Sequence, residues 1–180
     1  MRLSGNSPSP KTRSDLGWDA LLVELSQRAR TRRGAELCRL TAPLGTIDEA
    51  QARMAEIGEA QALHDRAEPL PLVGVRELDQ VVERAERSGI LTGESLCDVA
   101  ATLAVVGRVL AHVRAVRKVA PRLFSRAALL DPLDFVQRTI AQSFECIELS
   151  PSQQPRLADH ASPELAALRR RAQKAREELE

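Results

Sequence analysis

Between Thr92 and Pro121 the chain contains no proline, and Leu96, Val99, Ala100, Leu103, Val106, Leu110 and Val113 recur at helical spacing. Residues three and four apart share one face of an α-helix, so this run predicts one long amphipathic helix. A second apolar face, formed by Ala101, Val105 and Val109, calls for burial on more than one side. A helix with those demands belongs at the centre of a core, and the other elements must be arranged to cover it.

The flanking sequence supplies such elements. Trp18, Leu21, Leu22, Leu25 and Ala29 mark a second helical face, and Thr31 reads as the N-cap of a short helix through Leu40. Pro43 and Gly45 break it. Thr46 and Glu49 form a T-x-x-E capping box for a helix whose stripe is Ile47, Ala50, Met54 and Ile57. In "AEPLPLVG", Pro69 and Pro71 predict a loop. A helix over 76–87 follows, with Leu78, Val81, Val82 and Ala85 on one face. Gly89 is placed as its left-handed terminator, and Ile90 makes the accompanying apolar contact. Short helices are predicted at 122–130 and 133–143, the second capped by Asp131 with Pro132 at its first position.

"FECIELSPSQQPRLADH" breaks the helical pattern. It reads as an irregular segment or two short strands, with Phe144, Cys146, Ile147 and Leu149 pairing near 156–158. Beyond it Ser162 caps, Pro163 starts, and Leu165, Leu168, Ala172, Ala175 and Leu179 follow the a/d spacing of a coiled coil. That seam is barely two heptads long and has no stop signal. The expectation is that the helix continues and that the chain is the front part of something larger. The fold class is all-α, a helical bundle with an irregular or two-strand segment near 144–158 and a coiled-coil-like final helix. Its parts are a disordered lead-in at 1–13, a helical core domain at 14–143, a connector at 144–161 and the start of a long helix at 162–180.

Composition narrows the functions. A net charge of +1 gives no global field to steer the chain to nucleic acid or an anionic membrane. Trp18, Phe124, Phe135 and Phe144 are the aromatic residues, too few for a base-stacking platform. Cys38, Cys97 and Cys146 form no C-x-x-C pair and read as reduced, buried thiols. The N-terminus lacks the apolar stretch of a secretory signal, and "VAATLAVVG" is shorter than the ~20 residues that span a bilayer. A cytoplasmic location without membrane attachment is expected.

The order of these signals resembles the N-terminal region of the bacterial MutS-two family. "RTRRGAELCRLTAPL", "ARMAEIGEAQAL", "EPLPLVGVREL" with "RAERSGILTGESL", and "ADHASPELAALRRR" carry the match. The resemblance implies the helical core and first part of a lever arm. It also implies a longer parent with a DNA clamp, an ATPase domain using ATP and magnesium, and a nuclease domain. That parent is expected to be a homodimer acting on DNA in recombination suppression or branched-DNA processing, or on ribosomes in rescue. This chain carries no G-x-x-x-x-G-K-[ST], so neither catalytic residues, nor a cofactor site, nor a metal site is expected within it. The other reading is a free-standing helical adaptor that binds a partner helix through its C-terminal seam.

The candidate nucleic-acid contact is Arg169, Arg170, Arg171, Lys174 and Arg176, weighed against a solvated coiled-coil flank balanced by Glu164, Glu177, Glu178 and Glu180. Arg28, Arg30, Arg32 and Arg33 form a second positive cluster at a helix junction. His64, His112 and His160 lie in separate segments, and Asp131 with Asp134 reads as capping and first-turn charge rather than a carboxylate pair.

Overall fold

The computed structural model describes residues 9–144 and 155–178. Those residues are all-α. The helices are α1 (Pro10–Asp15), α2 (Trp18–Gln27), α3 (Arg32–Arg39), α4 (Ile47–Asp65), α5 (Asp79–Glu86), α6 (Gly93–Ala115), α7 (Pro121–Ala127), α8 (Asp134–Ser143) and α9 (Pro163–Glu177). One 3₁₀ turn, Asp159–Ala161, precedes α9. In place of paired strands the described residues hold a single antiparallel bridge, Phe144 to Leu157. Cys146, Ile147 and Leu149, assigned to a strand from the sequence, lie outside the described residues.

Most helix starts follow the sequence signals. Thr31 accepts the Gly34 N–H, and Ser162 accepts the Leu165 N–H. The Thr46 and Glu49 capping box is complete, each side chain taking the other's backbone N–H at 3.2 Å. Three ends differ. Helix α1 occupies part of the segment read as lead-in, because Ser9 and Pro10, taken there as signs of disorder, act as N-cap and first helical residue. Helix α8 begins at Asp134 and no side chain caps it; left-handed Leu133 separates it from Pro132.

At the end of α5 the left-handed residue is Ser88, one position before the predicted glycine. Gly89 instead donates its N–H to the Arg84 carbonyl at 2.9 Å, closing a Schellman turn. A Cβ on Gly89 would sit 2.9 Å from that carbonyl oxygen, so the close approach selects glycine. Ile90, expected to make the closing apolar contact, is 88% exposed.

The chain divides into two compact units. The first draws on Met1–Glu77 and Val105–Asp131. Its core is Val105, Val109, Val113 and Ala127, with Leu70, Leu72, Leu110 and Phe124 packed against them. The loop after α4 is tied to α6: Arg108 donates to the Val73 carbonyl at 3.1 Å, and the His112 ring pairs with the Glu68 carbonyl at 3.0 Å. Helices α2 and α3 form a hairpin over Leu22 and Ser26. The buried Ser26 hydroxyl is satisfied, donating to the Val23 carbonyl and accepting from Arg39.

The second unit draws on Leu78–Ala104 and Pro132–Glu180. Cys97, Ala100, Phe144 and Ala158 are its buried apolar residues. Phe144 packs over Gly93, where an added Cβ would come within 3.1 Å of the ring. The N–H of Ala158 donates to the Ser143 carbonyl at 2.8 Å, extending the Phe144 bridge.

Helix α6, with 23 residues, is long and apolar enough to cross a membrane by length and composition. Its side chains do other work here. The Val105, Val109 and Val113 stripe is in a protein core, and Arg108 and His112 bond to loop carbonyls. Those are the contacts of an interior helix.

Candidate nucleic-acid interface

Helix α9 carries all five cations singled out in the sequence, and the structure separates them into two groups. At 3.6 residues per turn, Arg170, Arg171 and Lys174 fall on one side of α9. Leu168, Ala172 and Ala175 form the apolar seam, with Arg170 opposite it, Arg171 flanking it beside Ala175, and Arg169 and Arg176 on its other edge. Arg170, Arg171, Lys174 and Arg176 are exposed and make no hydrogen bond or ion pair with another described residue. Like charges at i and i+4, as in Arg170 and Lys174, repel by about 0.2–0.5 kcal/mol. An anion opposite this face would relieve that repulsion.

Arg169 has a different role. Its guanidinium donates to the Leu157 carbonyl at 2.8 Å and pairs with the Asp159 carboxylate. It ties the first half of α9 to the bridge segment and the 3₁₀ turn. A residue so engaged positions the helix and is not an open cation. On the seam, Leu165 is half-buried and Leu168 is 60% exposed.

The second cluster is partly neutralised. Arg32 pairs with Glu77 at 2.7 Å and with Glu36 at 3.4 Å, and Arg33 pairs with Glu36 at 3.1 Å. Glu77 first, then Glu36, pushes the Arg32 pKa above its usual value. Arg28 and Arg30 have no such partner among the described residues. Among the described residues no group of three His, Cys, Asp or Glu side chains is placed to hold a metal ion. Asp134 stands in the first turn of α8, where its charge complements the helix dipole.

Two acidic residues went unremarked in the sequence reading. Ala120 cannot cap α7 and Pro121 has no N–H, so the open donors are Arg122 and Leu123. The Glu59 carboxylate on α4 takes both: Arg122 N–H at 2.9 and 3.1 Å, and Leu123 N–H at 2.9 Å. One turn earlier, Glu56 pairs with Arg126 at 2.9 Å. A cap supplied from more than sixty residues away leaves no local signature.

The described residues form a helical protein in which charged side chains such as Glu59 and Arg169 cap and tie helices, and whose last helix carries an exposed cationic face. Three curated relatives give that description a family. The chain is 31% identical over 162 residues to the endonuclease MutS2 of Anaeromyxobacter sp., covering 90% of this chain and 19% of the relative. It is 32% identical over 146 residues to the endonuclease MutS2 of Symbiobacterium thermophilum, covering 81% and 17%. It is 25% identical over 166 residues to that of Synechocystis sp., covering 92% and 19%. These three matches support a MutS2-family segment, and the chain spans about a fifth of the length of the curated relatives it matches. No family model and no solved structure matches it.

Proposed function

We propose that this segment is a helical scaffold in a MutS2-type endonuclease, and that α9 is the root of a lever passing movement between an ATP-hydrolysing part and a DNA-embracing part. One observation carries the reading: α9 is anchored at its base by Arg169 while its seam and its cationic face remain open. A rigid root with a free shaft is what mechanical transmission needs. The face of Arg170, Arg171 and Lys174 lies where a phosphate backbone beside the shaft would be met, with salt-dependent affinity. ATP, magnesium, dimerisation, and action on branched DNA or on ribosomes attach in this reading to the longer polypeptide. No G-x-x-x-x-G-K-[ST] occurs here, and no step of ATP chemistry is assigned to these residues.

The test uses a full-length MutS2 endonuclease. Two alanines inserted in the helix aligned with α9 rotate everything beyond them by about 200°. Coupling between DNA binding and ATP hydrolysis is then lost, while basal hydrolysis persists. A seven-residue insertion nearly restores phase and retains coupling. Retention of coupling with both insertions rejects the lever.

The exposed Leu168 favours a second reading, an adaptor that pairs with another helix through the α9 seam. Sedimentation of the 180-residue chain distinguishes it: concentration-dependent self-association that Leu168→Glu abolishes supports pairing of two copies through the seam.

A further inference from the structure

A cleft of about 520 Å³ opens in the first unit between α4, the α2–α3 junction and the loop at 69–75. That volume lies within the range of small-molecule sites, ~300–1,000 Å³. Its apolar wall includes Ala60, Leu70, Leu72 and Val75. Leu70 and Leu72 also pack against the core of Val105, Val109 and Val113, so the wall is held from behind. The loop is fixed further by Arg108 at the Val73 carbonyl and His112 at the Glu68 carbonyl. The pocket is therefore formed before any ligand arrives, which lowers the ordering cost of binding.

The polar lining is one-sided. Arg30 and His64 face the cleft, and neither side chain bonds to another described residue. Arg28 is likewise without a partner among the described residues, whereas Arg32, Arg33, Arg39 and Arg66 all have partners. No acidic side chain is among the lining residues. Two open nitrogen donors beside a preformed apolar wall match a ligand with an oxyanion at one end and hydrocarbon at the other.

We propose that this cleft binds a small amphipathic organic anion, a carboxylate or a phosphate monoester on an apolar body, with Arg30 and His64 holding the oxyanion. The site is separate from α9 and does not depend on the lever reading. The ligand-free cleft leaves a guanidinium without a counter-charge, and the carboxylate or phosphate group supplies it in bidentate form.

The experiment titrates the 180-residue chain with octanoate and, separately, with octyl phosphate, following the methyl NMR signals of Leu70, Leu72 and Val75. At least one probe is expected to saturate, and the tighter one identifies the head group. Arg30→Gln and His64→Gln, both at exposed positions, are each expected to weaken it about tenfold, with helical circular dichroism unchanged. Ala60→Phe, which fills the cleft from a helix, is expected to abolish it. Equal binding of octanamide shows a merely apolar surface and overturns the proposal. Equal binding of inorganic phosphate shows a merely cationic one and does the same. Failure of both probes to saturate, or binding unaffected by Ala60→Phe, also overturns it.

Discussion

Ile47, Ala50, Met54 and Ile57 on α4 repeat with the same three-and-four spacing as Leu96, Val99, Leu103 and Val106 on α6, yet the two helices are used differently. From Ser95 to Gly107 every residue of α6 is buried or half-buried, all round its circumference. The α4 stripe stays open: Ile47 and Ile57 are each 51% exposed and Met54 is 65% exposed. What α4 turns inward is Leu63 and a charged edge, Glu56 and Glu59, which meets α7. Periodicity therefore reports that a helix has an apolar face. It does not report which face the fold covers. The edge of α4 that meets α7 is the one whose Glu59 carboxylate accepts the Arg122 and Leu123 N–H groups that α7 cannot cap locally.

The sharpest way to break this comparison is to place a carboxylate on each stripe. Val105→Asp puts an unpaired charge in the core of the first unit, where Val105 is 1% exposed. It is expected to cost about 3–5 kcal/mol, a large part of the stability of a domain this size. Met54→Asp on the open α4 stripe is expected to stay within about 0.5 kcal/mol. Urea unfolding followed by circular dichroism measures both. A Met54→Asp cost near that of Val105→Asp would mean that α4 buries its stripe after all.

Next in size is the inverted edge of α4. Glu59→Ala removes the acceptor of the Arg122 and Leu123 N–H groups and is expected to cost about 1–2 kcal/mol, as the loss of an N-cap does. Ile57→Ala, two residues away on the exposed stripe, is expected to cost less, despite removing more apolar surface. The reverse order in urea midpoints would return α4 to an ordinary amphipathic helix with its apolar face inward.

The sequence signals that survived are those whose physics is local. The capping box at Thr46 and Glu49, the Thr31 and Ser162 caps and the Pro163 start are settled within four residues, and each stands where it was predicted, whereas the Pro132 start does not. The all-α class follows from the same periodicity. What was not legible depended on distant partners: Glu59 on α7, Arg169 on Asp159, and the rotation of α2, where Leu22 and Ser26 are buried while Leu21 and Leu25 are exposed. On α9 the five cations looked equivalent in sequence. Only the fold tells Arg169, tied at the root, from the open face of Arg170, Arg171 and Lys174. The family came from the order of segments, a signal of descent rather than of packing.

Helix ends offer a smaller effect. Ala67 after α4 and Ser88 after α5 have left-handed backbones, with φ of 58° and 56°. Both are followed by Schellman bonds, Glu68 N–H to the Leu63 carbonyl and Gly89 N–H to the Arg84 carbonyl. Non-glycine residues there cost about 1–2 kcal/mol, offset in part by the entropy a glycine would add to the unfolded chain. Ala67→Gly and Ser88→Gly are each expected to raise stability by about 0.5 kcal/mol. A loss of stability at either would show that the side chain contributes more than the strain it carries.

The least effect expected separates two thiols and probes the enclosure of α6 directly. Cys97 is buried on α6, whereas Cys38 on α3 is only half-buried. Burial, and secondarily the charge of Asp98, pushes the Cys97 pKa above the ordinary thiol value. A raised pKa means that the folded state holds its proton after the unfolded chain has lost it. The associated stability is present below the unfolded thiol value of about 8.5 and is lost as pH rises from there through the folded value. In a background of Cys38→Ser and Cys146→Ser, the urea midpoint is therefore expected to fall more steeply between pH 8 and 10 than in the same protein carrying Cys97→Ala. The intercepts will differ because alanine leaves a small void; the slopes carry the information. Parallel slopes would mean that solvent reaches Cys97, and that this part of α6 is no better covered than the open stripe of α4.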